Sequence, residues 1–360
     1  MNPLEHQLEY PFADTMPEAG AKQQVAPGVY WVRMPLPFAL DHINLWLLRD
    51  RHDGRDGWTI VDCGITHDVI RENWEKVFAN ELEGLPVLRV IATHFHPDHV
   101  GLAHWLCKRW DARLWMSLGD YMTARVMCGT PGGGPGSAAG GDFAARHFSR
   151  HGLTDEESLE KIRGRRNYYT SLVPSVPDQY ARMLDGDIVR IGTDPAKSDW
   201  RVIVGYGHAA EHVALYNAAL NVLISGDMVL PRISTNVSVF DIEPEANPLQ
   251  LYLDSLTRYE DLPQDTLILP SHGRPFRQLH ARIAQLRQHH KERLAETLAA
   301  CAEKPCNAHD IVAVIFRRQF DIHQLTFAMG ESLAHLHALW HRGELVRETG
   351  DDGITRFRAA

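Results

Sequence analysis

The decapeptide ATHFHPDHVG, Ala92–Gly101, carries the pattern His94-x-His96-x-Asp98-His99. Neutral imidazole nitrogens and carboxylate oxygens are the ligands that zinc, iron and manganese accept in proteins. A chain with 21 histidines can produce such a cluster by chance. The flanking sequence therefore has to decide between a metal site and a solvated polar loop.

The residues on either side of this cluster predict a strand and a helix. Leu85–His94 is apolar and β-branched, with Arg89 as its one charge, which is typical of a buried strand. Asp98–Trp110 predicts a helix with Asp98 near its N-cap. The cluster would thus lie at the carboxyl end of a strand, where open α/β sheets place ligand sites. We interpret it as a metal site.

Bulk properties exclude several classes of protein. The 360 residues can form one large domain and a small one, and the net charge of −9 disfavours a nonspecific binder of nucleic acid or anionic membrane. The N-terminus lacks the basic start and apolar core of a signal peptide, and no run is long and apolar enough to span a membrane. Five widely spread cysteines do not indicate a disulfide framework, so we expect a cytoplasmic protein.

Hydrophobic patterning divides the chain into four parts. Residues 1–27 are expected to be irregular, and strands should begin at Val29. Residues of about 117–185 predict a helical insertion, in which the glycine-rich stretch Gly129–Gly141 would be a mobile hinge. Strands resume and continue to about 275. Residues 276–360 predict three helices and a terminal hairpin.

Three further polar residues follow predicted apolar strands. His208 lies in GYGH, Asp227 in SGD and His272 in PSHG. Taken singly, each has a structural explanation as a loop, turn or capping residue. Together with the first cluster they repeat one arrangement, an apolar strand, a sharp bend and a ligand. Four such strand ends at one edge of a sandwich could converge.

The ordered motifs VDCG, THFHPDH, GYGH, SGD and PSHG resemble those of the metallo-β-lactamase superfamily, over roughly residues 28–275. The resemblance implies an α/β fold, a four-layer αββα sandwich, with two metal ions at one edge. It implies that His94, His96 and His208 hold one ion. Asp98, His99 and His272 would hold the second, and Asp227 would bridge the two. Asp62 and His212 would support these ligands without binding metal.

The ligand set of the resembling family implies hydrolytic chemistry. Two divalent ions would lower the pKa of a bridging water and stabilise negative charge on a carbonyl or phosphoryl centre. Zinc is the favoured metal, with iron and manganese as the alternatives. Asp98 and Asp227 are the candidate catalytic residues, and Asp98 would orient the water. Two departures from common family motifs occur, because Glu211 replaces a glycine and Cys63 replaces a threonine. Neither removes a ligand.

Two variable regions are candidates for contacts with a small-molecule substrate. Met34–Asn44 would form a loop over the metals, in which Phe38 and His42 are candidate contacts. In the insertion, Arg163, Arg165 and Arg166 beside Tyr168 would suit a phosphate- or carboxylate-bearing carrier such as coenzyme A or glutathione. A solvated helix face explains the same basic run. A core-facing hairpin equally explains the first loop.

The C-terminal segment resembles the winged-helix domain of some superfamily members, and such domains often bind DNA. Between Pro305 and Ala360 six Arg or Lys stand against seven Asp or Glu, a net charge of −1. A DNA footprint requires clustered positive charge. We therefore expect this segment to pack against the fold, form a homodimer or line the substrate pocket.

The favoured function is hydrolysis of a thioester of the hydroxyacylglutathione or acyl-CoA kind. A lactonase or other ester hydrolase is the alternative within the same chemistry. An iron-dependent persulfide dioxygenase would commonly use only two histidines and one aspartate on a single ion, which the larger ligand set disfavours. A DNA-binding regulator with a vestigial metal fold is the non-enzymatic alternative.

Overall fold

The computed structural model describes residues 2–12, 15–129, 140–316 and 318–360. Most of the predicted hinge Gly129–Gly141 therefore lies outside the described residues. The elements up to the end of the insertion are β1 (Lys22–Ala26), β2 (Val29–Pro35), β3 (His42–His52), β4 (Arg55–Val61), α1 (Asp68–Asn80), β5 (Val87–Ile91), α2 (Pro97–Val100), α3 (Ala103–Trp110), β6 (Arg113–Met116), α4 (Leu118–Gly129), α5 (Gly141–Arg150), α6 (Glu156–Gly164), α7 (Tyr168–Leu172) and β7 (Tyr180–Arg182).

The rest of the described chain adds the strands of the second sheet, the C-terminal helices and a terminal hairpin. These elements are β8 (Ile188–Arg190), β9 (Asp199–Gly205), β10 (His212–Asn217), β11 (Val222–Gly226), α8 (Pro248–Ser255), β12 (Leu267–Pro270), α9 (Leu279–Glu303), α10 (Ala308–Ile315), α11 (Ile322–His341), β13 (Leu345–Thr349) and β14 (Thr355–Ala359). The first sheet has the order β1-β2-β3-β4-β5-β6-β7, the second has the order β12-β11-β10-β9-β8, and β13 pairs only with β14 among the described strands.

Alternating side chains show that the two sheets pack face to face. In β3, Trp46 and Leu48 belong to the core between the sheets, whereas Leu45 and Leu47 face the helices outside the first sheet. Successive strand residues point to opposite faces, so both faces of β3 are buried. The outer face of the second sheet meets the C-terminal helices in a third core. The chain is a four-layer αββα sandwich, as predicted.

Two predicted boundaries are wrong. The N-terminal segment is not irregular throughout, because β1 pairs antiparallel with β2 and extends the first sheet. The helix predicted over Asp98–Trp110 is broken into α2 and α3, and His96 rather than Asp98 is the N-cap residue of α2. The break follows from close packing. A Cβ at Gly101 would lie 2.5 Å from the Pro97 carbonyl oxygen and 2.7 Å from that of Gly64.

The C-terminal helices share their core with the second sheet. Leu286 of α9 and Leu333 of α11 belong to the same buried cluster as Ile203 and Leu223 of that sheet. The insertion helices α5 and α6 contribute to this cluster as well. The C-terminal segment therefore supplies most of one outer layer of the sandwich. None of the described helices combines the length and apolar character needed to cross a bilayer.

Candidate metal centre

Seven histidine and aspartate side chains meet at the edge where four strands end. His94, His96, Asp98 and His99 follow β5, His208 follows β9, Asp227 follows β11 and His272 follows β12. The side chains form two groups, in each of which the potential ligand atoms lie within 4.8 Å of one another. The first group is His94, His96, His208 and Asp227, and the second is Asp98, His99 and His272.

The first group converges through three imidazole nitrogens. His94 Nε2 lies 2.9 Å from His96 Nδ1 and 3.2 Å from His208 Nε2. Asp227 Oδ2 lies 3.4 Å from His208 Nε2. Three nitrogens and one carboxylate oxygen thus face a common point, which fits one divalent ion.

The second group faces the other oxygen of Asp227. His272 Nε2 lies 3.3 Å from Asp98 Oδ2 and 3.6 Å from Asp227 Oδ1. His99 Nε2 lies 3.7 Å from the same Asp227 oxygen. Because its two oxygens face different groups, Asp227 has the position that a bridging carboxylate requires.

The backbone fixes which nitrogen of two ligating histidines carries the proton. His208 Nδ1 lies 2.7 Å from the Asn236 carbonyl oxygen, and His272 Nδ1 lies 2.8 Å from that of His42. A carbonyl oxygen can only accept, so both Nδ1 atoms donate and both Nε2 atoms keep a free lone pair. These lone pairs point into the site.

Two buried polar atoms indicate that the site is built for a cation. His99 Nε2 and Asp227 Oδ1 are buried without a hydrogen-bond partner among the described residues. Leaving such atoms unpaired is costly unless a ligand satisfies them. A divalent metal would satisfy both, so the residues present fit the group that the fold class implies.

Electrostatics favour the deprotonated ligands of the first group. Burial, followed by the charge of His208, lowers the pKa of His96 to about 3, so its nitrogen is free at neutral pH. Burial alone would lower the pKa of His99 as well, but the carboxylates of Asp62, Asp98 and Asp227 raise it to about 10. A metal at the second group would therefore displace a proton from His99.

Asp62 connects the ligand loop to β4. Its Oδ2 lies 2.8 Å from His99 Nδ1 and accepts from Thr93 Oγ1 at 3.0 Å, and its Oδ1 accepts from the Thr93 backbone N–H at 2.8 Å. The residue is fully buried and has a φ of 64°. The structure thus places Asp62 behind a ligand and outside the two ligand groups.

His212 supports Asp227 through its backbone. Its Nε2 accepts a hydrogen bond of 3.1 Å from the backbone N–H of Asp227. A Cβ on Gly226 would lie 2.3 Å from that nitrogen, and the φ of 53° also favours glycine. The Gly-Asp sequence after β11 is therefore needed for this contact.

His42 holds the loop that carries His272. Its Nε2 accepts from the Gly273 backbone N–H at 2.9 Å, and its Nδ1 lies 2.6 Å from Asp41 Oδ1. Asn44 donates to the carbonyl oxygens of Pro270 and Gly273 at 2.8 and 2.9 Å. Both ring nitrogens of His42 are thus engaged within the protein, and its contact with substrate stays a prediction.

Several supporting residues have no signal in the sequence. Asp120 accepts hydrogen bonds from the backbone of Phe95 and Glu211, and Tyr169 donates to the Phe95 carbonyl oxygen at 2.6 Å. Asn236, which accepts from His208, is also 3.5 Å from the buried Glu331 of α11. These contacts join segments that are far apart in the chain, so no local motif marks them.

An entrance cluster lies beside the centre and contains Phe38, Arg165, Tyr168, His323 and Phe327. The His323 ring lies 5.5 Å from that of Phe38, 5.4 Å from that of Tyr168 and 4.9 Å from that of Phe327. Arg165 stacks 4.4 Å over Tyr168, and its Nη2 lies 2.8 Å from His323 Nδ1.

The entrance cluster lies within electrostatic reach of the metal ligands. Burial raises the pKa of Tyr168 to about 12, and the negative charge of Asp98 contributes to the rise while Arg165 opposes it. The side chain of Asp98 is 19% exposed, more than those of Asp227 and His272. Of the seven side chains, only those of His96 and Asp98 belong to residues that are not buried, so the site is most open beside these two.

The other basic residues of the run Lys161–Arg166 do not join this cluster. Arg163 pairs with Glu156 and Glu160 of its own helix, Lys161 pairs with Glu157, and Arg166 is exposed. A separate cavity of about 540 Å³ is lined by residues of α8, α9 and α11 and none of the seven ligands. It lacks histidine and cysteine, so we place the chemistry at the histidine edge.

The sandwich and its edge of paired histidine and aspartate ligands define a protein of the metal-dependent hydrolase class. The chain belongs to the metallo-beta-lactamase superfamily, whose model matches residues 39–126 and 131–272. A second model, the metallo-beta-lactamase-like C-terminal domain, matches residues 294–360.

Solved structures and a curated relative agree with this assignment. A beta-lactamase domain protein from Burkholderia ambifaria is 60% identical with a TM-score of 0.93, and the match covers 100% of both chains. A metallo-beta-lactamase family protein from Thermus thermophilus is 28% identical, with a TM-score of 0.74 over 94% of this chain and 100% of the other. The chain is also 23% identical to a probable metallo-hydrolase of Bacillus subtilis (strain 168), over 86% of this chain and 91% of that protein.

Proposed function

We propose that the protein is a hydrolase with two divalent ions, zinc in the first instance, and that its substrate is a thioester. The observation that carries the proposal is the division of seven ligands into two groups on either side of Asp227. When bound, such ions would lower the pKa of water and stabilise negative charge on the oxygen of the scissile group.

The residues of this chain would position the reactants. Asp98 is the most exposed carboxylate of the centre and would accept a hydrogen bond from the attacking water through its free oxygen. Asp62 and His212 would keep His99 and Asp227 in place. Water adds to the thioester carbonyl, the C–S bond breaks, and the products are a carboxylic acid and a thiol.

The entrance cluster supports a substrate with an anionic carrier. Arg165 is half-buried, and its Nη1 is shielded from solvent without a hydrogen-bond partner among the described residues. A guanidinium held over the Tyr168 ring suits a carboxylate or phosphate. Coenzyme A and glutathione thioesters both carry such groups.

Metal analysis and a substrate panel test the proposed activity. Metal-replete protein should contain about two ions per chain and should hydrolyse small thioesters faster than lactones or phosphodiesters. Faster hydrolysis of lactones would mean that the substrate is a lactone or other ester and not a thioester. A single iron per chain together with oxygen consumption would indicate a persulfide dioxygenase and overturn the proposal.

The chain offers a matched pair of arginines to test the carrier contact. Arg165→Gln should raise KM for a full carrier thioester and leave that for a truncated thioester unchanged, because the truncated substrate never makes the contact. Arg163→Gln is the control, since that arginine is paired with glutamates of its own helix. Equal losses on both substrates would show that Arg165 only holds the insertion together.

The environment of α11 argues against a DNA-binding regulator. Every residue from Ala328 to Leu339 is buried, so this stretch of the helix has no free face for a DNA groove. We propose that the segment forms part of the fold and of the site entrance, and we expect no salt-sensitive binding of duplex DNA. A homodimer and a cytoplasmic location remain proposals, the latter supported by five free cysteines.

A further inference from the structure

The two loops that supply the first ion's histidines are joined by one buried carboxylate. Asp120 Oδ1 accepts from the backbone N–H of Phe95 at 2.9 Å, and Phe95 stands between His94 and His96. Asp120 Oδ2 accepts from the backbone N–H of Glu211 at 2.6 Å, three residues after His208. Asp120 is fully buried, and Ser117 also donates to it at 3.3 Å.

Glu211 in turn accepts a hydrogen bond from the helix that carries Asp120. Its Oε2 accepts from the backbone N–H of Gly119 at 2.8 Å, in the first turn of α4. The approach is close, because a Cβ on Gly119 would lie 3.1 Å from both Ala210 Cβ and Glu211 Cγ. The α4 start and the loop after β9 are therefore held together from both sides.

We propose that Asp120 and Glu211 are positioning residues for the first metal ion, and that they set the distance between His208 and the pair His94 and His96. His208 Nε2 and His94 Nε2 lie 3.2 Å apart and come from different sheets. The Asp120–Glu211 pair provides hydrogen bonds that fix these two loops relative to each other. The inference rests on the proposed metal centre, and neither residue is itself a metal ligand.

The second ion has a different support. Asp98 and His99 are held through Asp62 and the backbone of Cys63 and Gly64, and His272 is held through His42 and Asn44. Loss of the Asp120–Glu211 pair should therefore weaken the first ion more than the second. General destabilisation of the fold would weaken both ions alike, so the ratio of the two affinities separates the explanations.

Zinc titration against a chromophoric chelator measures both affinities in the purified full-length protein, and His272→Ala assigns the step that belongs to the second ion. Asp120→Asn places an amide N–H against a backbone N–H, and Asp120→Ala leaves two buried N–H groups unpaired. We expect the first ion to bind 10- to 100-fold more weakly in either variant, the range typical of residues that orient ligands. The second ion should change less than about threefold, well inside that range.

Glu211 allows rescue by a conservative variant. Glu211→Gln keeps an oxygen that can accept from Gly119 and should bind the first ion as the wild type does, whereas Glu211→Ala should bind it more weakly. Losses in Asp120→Asn and Glu211→Ala should be less than additive in the double variant, because both residues hold the same two segments. Asp68→Asn is the control, since it removes an exposed first-turn carboxylate from α1.

Three outcomes would overturn the inference. The first is a wild type with two ions whose Asp120 and Glu211 variants bind both ions normally. The second is an equal loss of both ions, which would assign the pair to general stability. The third outcome matters if the Asp120 variants do not fold. It is an equal affinity for the first ion in Glu211→Ala and Glu211→Gln. A wild type that binds no zinc would instead contradict the proposed metal centre itself.

Discussion

Two groups of histidines in this protein differ in whether carboxylates lie beside them. In the site, His99, His208 and His272 lie against the carboxylates of Asp62, Asp227 and Asp98, whereas His94 and His96 lie against other imidazoles of the site. The C-terminal histidines, His290, His335 and His337, bond to one another or to backbone carbonyl oxygens. Burial lowers the pKa of His335 and His337 to about 4, so these imidazoles are neutral at pH 7, whereas in the site neighbouring carboxylates overcome the effect of burial and raise the pKa of His99 to about 10.

The comparison shows that carboxylates, more than imidazoles, distinguish a metal centre from a core. In the site, one nitrogen of each of His99, His208 and His272 is fixed by an acceptor and the other faces an aspartate. In the C-terminal group, His290 Nδ1 and His335 Nε2 face each other at 3.3 Å. Among the described residues, only the two site groups place three or more ligand atoms together. A divalent cation needs the negative charge to offset its dehydration.

Removing the proposed bridging carboxylate should have the largest effect on metal binding and turnover. The variant site would lack the negative charge between its histidines, as the C-terminal group does. Asp227→Ala should lose most of the second ion and lower turnover more than about 100-fold, beyond the loss typical of supporting residues. Elemental analysis and initial rates on the best substrate of the panel measure both. Turnover within tenfold of the wild type would rule out a two-ion centre.

Changing the acceptor behind one ligand should have a smaller effect. Asp62→Asn removes the charge facing His99 Nδ1, so the second ion should bind about 10- to 100-fold more weakly. The pKa of His99 in the metal-free variant should fall below about 10, because one of its three neighbouring carboxylates is gone. Zinc competition and an NMR pH titration give the two values. An unchanged pKa would show that Asp62 acts on the backbone of Thr93 alone.

Helix α11 also contains a buried acid, Glu331, whose effect on stability depends on pH. Burial raises the pKa of Glu331 from 4.5 to about 7, so between these values the folded protein holds the proton that the unfolded chain has released. Stability is therefore complete below about pH 4.5 and falls as pH rises through 7. Relative to Glu331→Gln, the wild type should lose about 2–3 kcal/mol between pH 5 and 8. Denaturant titrations that give the same stability difference between wild type and Glu331→Gln at both pH values would contradict this.

The smallest effect on metal is expected from the C-terminal histidines themselves. His290→Leu leaves His335 Nε2 without its partner, which should cost about 1–2 kcal/mol of stability. Metal content and turnover should equal those of the wild type, since no metal ligand contacts this pair. A loss of zinc in this variant would mean that the two histidine groups are coupled, and the comparison above would fail.

The sequence predicted the parts of the site that follow a local rule. Each ligand comes directly after an apolar strand, so His94, His208, Asp227 and His272 could be placed at strand ends before their distances were known. The shared family motifs predicted the sandwich.

The parts that were missed depend on contacts between distant positions. Asp120 looks in the sequence like an ordinary first-turn acid, and its role appears only when the loops after β5 and β9 both donate hydrogen bonds to it. Asn44 contacts residues 226 and 229 positions away. His323 joins Phe38 and Tyr168 because α11 begins beside the insertion. No local pattern encodes these meetings.

The core shared by the second sheet and the C-terminal helices has a consequence for the order in which the protein folds. A ribosome makes the chain from its N-terminus, and all seven ligands have been synthesised once His272 has been added. Much of the cover on the outer face of the second sheet is still missing at that moment, because α9 and α11 are made after His272 and only α5, α6 and α8 of the described helices in that core precede it. Newly synthesised chains therefore expose an apolar surface until α9, α10 and α11 have been made. Long-range pairing is slow during this interval, and aggregation competes with folding. A stop codon after the last ligand would leave a chain that contains every group needed for metal and lacks the layer that keeps them in place.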